Sequence, residues 1–189
     1  MDEEIQKEAR IYVITGRSSS GKTTLIKELE KRGYCVLHET AREVLGERKG
    51  YETTKREWIY RQKEMFARQK RQEEEAIQNG NRLIFTDRGL PDVLAYCLHL
   101  AGYIPEELKK YDFKGRYSGL FVTEKLPWKK DEIRIEKDDR EVEEIHDKIV
   151  DAYKNHGYEP ISVPAFYGSL EEAVGKRVEF ILEKIKDGN

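Results

Sequence analysis

The sequence predicts a three-layer α/β fold: a five-stranded, mostly parallel sheet with helices on both faces and a lid over one edge. Three observations predict it. Short apolar runs alternate with helical stretches along the chain. A glycine-rich loop joins the first run to the first helix, and an acidic residue closes the third run. Strands separated by helices pair in parallel and are covered on both faces, with right-handed crossovers.

The elements follow in order. Ile11-Tyr12-Val13-Ile14 reads as a buried strand before Gly16, and residues 22–32 as a helix ended by Gly33. Tyr34-Cys35-Val36-Leu37 is the second strand, and 40–47 a short helix. A long helix covers Lys55 to Gln78, with Trp58, Ile59, Met65, Phe66, Ala76 and Ile77 near one side and Asn79-Gly80 as its stop. Leu83-Ile84-Phe85 is the third strand, followed by a helix at 91–101; Gly119-Leu120-Phe121-Val122 is the fourth. Residues 125–140 are charged and aperiodic, which makes them the candidate lid. Val142, Ile145, Ile149 and Ala152 mark a further helix, Pro160-Ile161-Ser162-Val163 a fifth strand, and Leu170, Val174, Val178, Ile181 and Ile185 the stripe of a last helix. No repeat or linker divides residues 1–189, so one domain is expected.

Composition narrows the partners. The 189 residues carry 35 Lys and Arg against 37 Asp and Glu, a formal net charge of −2. No global basic field draws such a chain onto duplex nucleic acid. No run approaches the roughly 18 apolar residues of a membrane span, and MDEEIQKEAR has no apolar signal core. A cytoplasmic protein is expected, with a homodimer left open. Cys35 and Cys97 lie in apolar runs and read as buried thiols rather than a metal or disulfide pair.

The chemistry starts at Gly16-Arg17-Ser18-Ser19-Ser20-Gly21-Lys22-Thr23, which fits G-x-x-x-x-G-K-[ST] between a strand and a helix. This is a P-loop. Its glycines let the backbone turn tightly against an anion, and the helix start adds a positive dipole end. Lys22 is suited to the β- and γ-phosphates, Thr23 to magnesium, and Thr24 to a further phosphate contact. The Lys22 and Thr23 side chains are expected to face solvent. Residues 16–24 thus predict a nucleoside triphosphate with Mg²⁺: ATP, with GTP the other candidate.

Asp87 ends the third strand at the sheet edge where ligands of open α/β sheets bind. It could hold the metal or cap the next helix, since Pro91 follows. Arg88 could contact substrate or phosphate, or make a surface ion pair. Glu39 occupies the same edge after strand two. It could take a proton from an attacking hydroxyl or bind a ribose, or it could pair with Arg42. In the lid, Arg134 or Arg140 could neutralise charge on a transferred phosphoryl. Guanine-specific D-x-x-G and N-K-x-D signs are missing after strands three and four. The reading is a small-molecule kinase, the alternative a nucleotide-dependent regulator that hydrolyses slowly.

Four segments carry a family resemblance: ITGRSSSGKTTLIKELEKRGY, HETAREVL, RLIFTDRGLPDVLAY and KLPWKKDEIR. Over nearly its whole length the chain resembles the AAA_28-type P-loop ATPases, related to the nicotinamide riboside kinase domain of NadR. The Asp87-Arg88 pair is more similar to thymidylate and deoxynucleoside kinases. The resemblance implies phosphoryl transfer to a nucleoside- or nucleotide-like acceptor. It places Trp128, Asp131 and Arg134 on the acceptor or lid side, and matches Glu39 and Arg42 to an acidic-then-basic helix start. Trp128 could anchor the lid on the core or stack on the acceptor's base.

Overall fold

The computed structural model describes residues 9–39, 54–125 and 138–187. Among them the elements run β1 (Arg10–Gly16), α1 (Lys22–Lys31), β2 (Cys35–Leu37), α2 (Lys55–Gln78), β3 (Leu83–Asp87), α3 (Leu90–Ala101), α4 (Glu106–Lys109), β4 (Gly119–Thr123), α5 (Asp139–Lys154), β5 (Pro160–Val163) and α6 (Leu170–Asp187). The five strands form one sheet in the order β2-β3-β1-β4-β5. Every pairing is parallel. The predicted strands and long helices are all present; the single turn of α4 was not anticipated. The 40–47 helix and Arg42 fall outside the described residues, as do Trp128, Asp131 and Arg134. Of the 125–140 segment, 126–137 lie outside them and Asp139 and Arg140 open α5.

Strand alternation sorts the core into two layers. Ile11, Val13, Ile84, Leu120 and Val122 point to the side covered by α2, α3 and α5, where Met65, Leu94, Ile145 and Ile149 meet them. Tyr12, Ile14, Phe85 and Phe121 point to the other side, against Leu25, Ile26 and Leu29 of α1 and Val178 and Ile181 of α6. Because β1 is the middle strand, both sets pack tightly: Val13 and Ile14 are fully buried. β2 is an edge strand and its three residues are only half-buried. Cys97 is buried as expected, whereas Cys35, on that edge, is half-buried.

Helix ends follow local chemistry. Thr54 caps α2 through a capping box: its Oγ1 accepts from the Glu57 N–H at 3.2 Å, and Glu57 Oε2 accepts from the Thr54 N–H at 2.8 Å. Asp138 caps α5, accepting from the Glu141 N–H at 2.9 Å. The inward face of α2 departs from the sequence reading. Besides Ile59, Met65, Phe66 and Ala76 it buries Gln62, Gln69 and Glu73. Two of these make sense from their partners. Gln69 Nε2 donates to Thr86 Oγ1 at 2.6 Å. Glu73 accepts from Gln69 Nε2, Arg116 Nε and Tyr117 Oη at 3.1, 2.6 and 3.0 Å. Burial raises the Glu73 carboxyl above its ordinary range even so.

Candidate phosphate and acceptor site

All five strands run the same way, so their carboxyl ends share one edge. The register brings Asp87 beside Ile14 and Thr123 beside Gly16, which puts the third-strand acid next to the P-loop.

The loop itself is a strained turn. Gly16 has φ 135 and Gly21 φ 83, and Ser19 adopts φ 59 without being glycine. Gly16 is also fixed by space: a Cβ there would lie 2.6 Å from Thr123 Oγ1 and 3.0 Å from Thr123 O. Gly21 is the N-cap of α1 and offers no capping side chain, and no acid sits in the first turn. The helix therefore starts with its positive end uncapped by any side chain, which suits an anion.

Lys22 overturns one expectation. Its side chain does not face solvent but is buried, 6% exposed. Nζ donates to Arg17 O at 2.6 Å and Gly16 O at 3.1 Å. An ammonium next to two loop carbonyls replaces solvent with backbone dipoles, and this is its physical reason for turning inward. Burial, then repulsion from Arg88, lowers its pKa to about 8; Asp87, Glu39 and Asp92 work the other way. Thr23 is half-buried and Thr24 exposed. Of the remaining loop residues, Ser20 is buried and Arg17, Ser18 and Ser19 are half-buried. Arg17 forms an ion pair with Glu143 of α5.

Asp87 is 3% exposed. Burial first, and Glu39 second, push its carboxyl up to about 6 against the pull of Lys22 and Arg88. Its Oδ1 has no hydrogen-bond partner among the described residues. A buried carboxylate oxygen without a donor, beside a P-loop, fits a divalent cation, for which oxygen is the preferred ligand. The helix-cap alternative for Asp87 is not what the structure has: Asp92 receives the Gly89 N–H at 3.1 Å at the start of α3.

Arg88 is not in a surface ion pair. Its backbone sits at φ 71, a left-handed conformation that costs a non-glycine residue on the order of 1 kcal/mol. Hydrogen bonds hold it there: its N–H donates to Ile14 O at 3.0 Å, and its carbonyl accepts from Thr86 Oγ1 at 2.7 Å. The guanidinium lies between two acids, with Nε donating to Glu39 Oε1 at 2.6 Å and Nη1 to Asp92 Oδ1 at 3.1 Å. It stacks over Tyr96 at 5.5 Å. Burial opposes its charge, but Tyr96, Glu39, Asp92 and Asp87 outweigh burial and hold it above the ordinary arginine range. Glu39, Asp87, Arg88 and Lys22 are therefore one electrostatic cluster.

Arg140, the other lid arginine considered, is exposed and pairs with Glu144 at 3.2 Å. Two contributors had no sequence motif. Arg177, from the apolar stripe of α6, is 3% exposed and donates to Ser20 O at 2.6 Å, Pro164 O at 2.8 Å and Glu124 O at 3.3 Å. It ties the P-loop to the ends of β4 and β5. Asp92 is the second; the only sequence signal for it was an acid in the first turn after Gly-Leu-Pro.

A parallel sheet in this order, with a glycine-rich phosphate loop after its middle strand, defines the class: a P-loop protein of kinase-like fold. Residues 11–173 match the AAA_28 family, described as an AAA domain, and the chain belongs to that family. Comparison with curated proteins found no match. Among solved structures, the chain is similar to the thymidylate kinase of Ehrlichia chaffeensis, at 13% identity and TM-score 0.62, covering 94% of this chain and 98% of that one. It is similar to a deoxyadenosine kinase from M. mycoides bound to dCMP and dCDP, at 17% identity and TM-score 0.63, covering 94% and 99%. It is also similar to NadR in complex with NR, at 16% identity and TM-score 0.68, covering 95% of this chain and 52% of that one. At these identities the likeness is one of fold. No described helix is long and apolar enough to cross a membrane.

Proposed function

We propose that this protein transfers the γ-phosphoryl of ATP to a hydroxyl of a nucleoside- or nucleotide-like acceptor. The observation that carries the reading is Arg88. A strained, largely buried arginine is held between Glu39 and Asp92 at the carboxyl edge of β3, next to Asp87 and within the field of the P-loop lysine. A guanidinium kept charged in such a position suits an anionic or hydroxyl-bearing acceptor facing the triphosphate. The kinase fold of the neighbours supports it.

In this reading residues 16–24 bind the triphosphate. Lys22 leaves the Gly16 and Arg17 carbonyls for the β- and γ-phosphates. Thr23 and Asp87 would hold Mg²⁺, which supplies charge neutralisation at the transferring group. Glu39 orients or deprotonates the acceptor hydroxyl, and its bond to Arg88 fixes where its carboxylate lies. Arg42, Arg88, Trp128, Asp131 and Arg134 contribute on the acceptor side, with Arg134 carrying the lid's positive charge. In this reading residues 1–189 act as one domain, and the 125–140 segment would serve as its lid. The test is a screen of nucleosides and nucleotides for acceptor-dependent ADP or GDP formation, run with both ATP and GTP. A steep rise with one acceptor is expected. Slow hydrolysis indifferent to every acceptor overturns the kinase reading in favour of a nucleotide-dependent regulator.

A further inference from the structure

Asp92 lies outside the phosphate loop, in the first turn of α3 rather than at a strand end, and four donors reach its carboxylate. It is 2% exposed, and a carboxylate that deep persists only where donors satisfy it. Oδ1 accepts from Thr15 Oγ1 at 2.6 Å and from Arg88 Nη1 at 3.1 Å. Oδ2 accepts from the Gly89 N–H at 3.1 Å and from Tyr153 Oη at 2.6 Å. These donors come from three separate parts of the fold. Thr15 immediately precedes Gly16 of the P-loop, Arg88 and Gly89 form the β3–α3 turn, and Tyr153 belongs to α5.

The Tyr153 contact depends on a missing side chain. A Cβ at residue 89 would stand 2.6 Å from Tyr153 Oη and 2.9 Å from Tyr117 Oη. Gly89 has an extended backbone, φ −132, that any residue could adopt, so it is space and not conformation that demands glycine. The two hydroxyls that fill this space have separate tasks: Tyr117 Oη accepts from the Leu90 N–H at 2.8 Å, and Tyr153 Oη serves Asp92. The other end of α5 is fixed as well, since Glu143 pairs with Arg17 of the P-loop. Ten residues of helix separate Glu143 from Tyr153, about 15 Å along the axis.

We propose that Asp92, held by Thr15 and Tyr153, is a positioning residue that sets the Arg88 guanidinium at a fixed place relative to the P-loop and couples that place to α5. The mechanism is geometric. One carboxylate oxygen is shared between the strand leading into the phosphate loop and the arginine, so the two cannot drift apart. The second oxygen is clamped by α5 and by the first turn of α3, so the carboxylate cannot rotate. Glu39 alone would hold Arg88 from one side only. The kinetic consequence rests on the acceptor reading of Arg88; the geometric one does not.

The test uses the full chain with Tyr153→Phe, which deletes one hydroxyl and keeps the ring, and Asp92→Asn as the stronger variant. The first readout needs no turnover: the Arg88 Nε–H resonance, assigned by its loss in Arg88→Gln, should shift and exchange faster with water in both variants. The second is steady-state kinetics. Tyr153→Phe should lower acceptor kcat/KM about ten- to a hundredfold, the range of one hydrogen bond to a charged group, while the ATP KM stays within about twofold. In an Arg88→Gln background Asp92→Asn should add little, because its effect passes through Arg88. An unchanged Arg88 resonance in Tyr153→Phe overturns the proposal. So does an Asp92→Asn loss that multiplies undiminished onto Arg88→Gln. A parent enzyme without acceptor turnover would defeat the kinase reading, and the Arg88 resonance would still decide the positioning role.

Discussion

Replacing Asp87 by Asn should raise the stability of the nucleotide-free protein at neutral pH while removing magnesium-dependent turnover. The sign follows from linkage. The Asp87 carboxyl is pushed from 3.8 up to about 6 in the fold. Below about 3.8 it is protonated in both folded and unfolded chains and costs nothing. Between 3.8 and 6 the unfolded chain ionises first, and above about 6 the fold carries the whole cost of an ionised buried carboxylate. About two pKa units correspond to about 3 kcal/mol at 1.36 kcal/mol per unit. Asn keeps a buried oxygen where Oδ1 has no donor, which retains about 1 kcal/mol of that cost. The net gain at pH 8 is about 2 kcal/mol, or about 4–8 °C in Tm for a chain of this size. The assay is thermal unfolding of parent and variant at pH 8 and pH 4, with and without Mg²⁺ and nucleotide. The variant should melt higher at pH 8, and the difference should vanish at pH 4. Magnesium–nucleotide should raise the Tm of the parent more than that of the variant. An Asp87→Asn protein less stable than the parent at pH 8, or one with unaltered magnesium dependence, would refute the assignment of Asp87 as a strained metal ligand.

Lys22→Met should weaken ATP binding by at least about a hundredfold, since the P-loop cation is lost, with the far-UV circular dichroism unchanged; isothermal titration calorimetry checks it. Gly89→Ala should cost about 1–3 kcal/mol in urea unfolding, the usual penalty for overpacking, and adding Tyr153→Phe should recover part of it by removing the hydroxyl 2.6 Å from the new Cβ. Arg177→Lys should fail to restore what Arg177→Ala loses in stability and nucleotide affinity, because one ammonium cannot serve the Ser20, Pro164 and Glu124 carbonyls together. Charge-neutral variants of Asp131 and Arg134 should raise the acceptor KM with the ATP KM unchanged; full acceptor-dependent activity in both would return the segment to a solvated loop.

The elements were legible in the sequence because their signals are local. The Lys55–Gln78 helix was read from its apolar side and from Asn79-Gly80 as its stop; the Thr54–Glu57 capping box at its start came from the structure. The Pro160–Val163 strand was read to its ends. The phosphate loop was legible for the same reason: two glycines, a lysine and a threonine at fixed spacing between a strand and a helix. Asp87 stood out because an apolar strand delivers it to the sheet edge.

What the tertiary structure decided concerns groups whose partners are distant in the chain. Strand order placed β3 beside β1, and only that pairing brings Asp87 and Arg88 against the P-loop. The spacing of Gln69, Glu73 and Arg177 on their helices reads equally well as solvated polar positions; they are buried because Thr86, Arg116 and the Ser20 carbonyl wait on other segments. Lys22, expected in solvent, turned inward because two loop carbonyls came within reach. Asp92 had no motif, since its value comes from Thr15, 77 positions away, and Tyr153, 61 positions away. A chain fixes its own local hydrogen bonds and hydrophobic periods. Whether a buried polar group is stable depends on donors and acceptors that only the folded arrangement brings together.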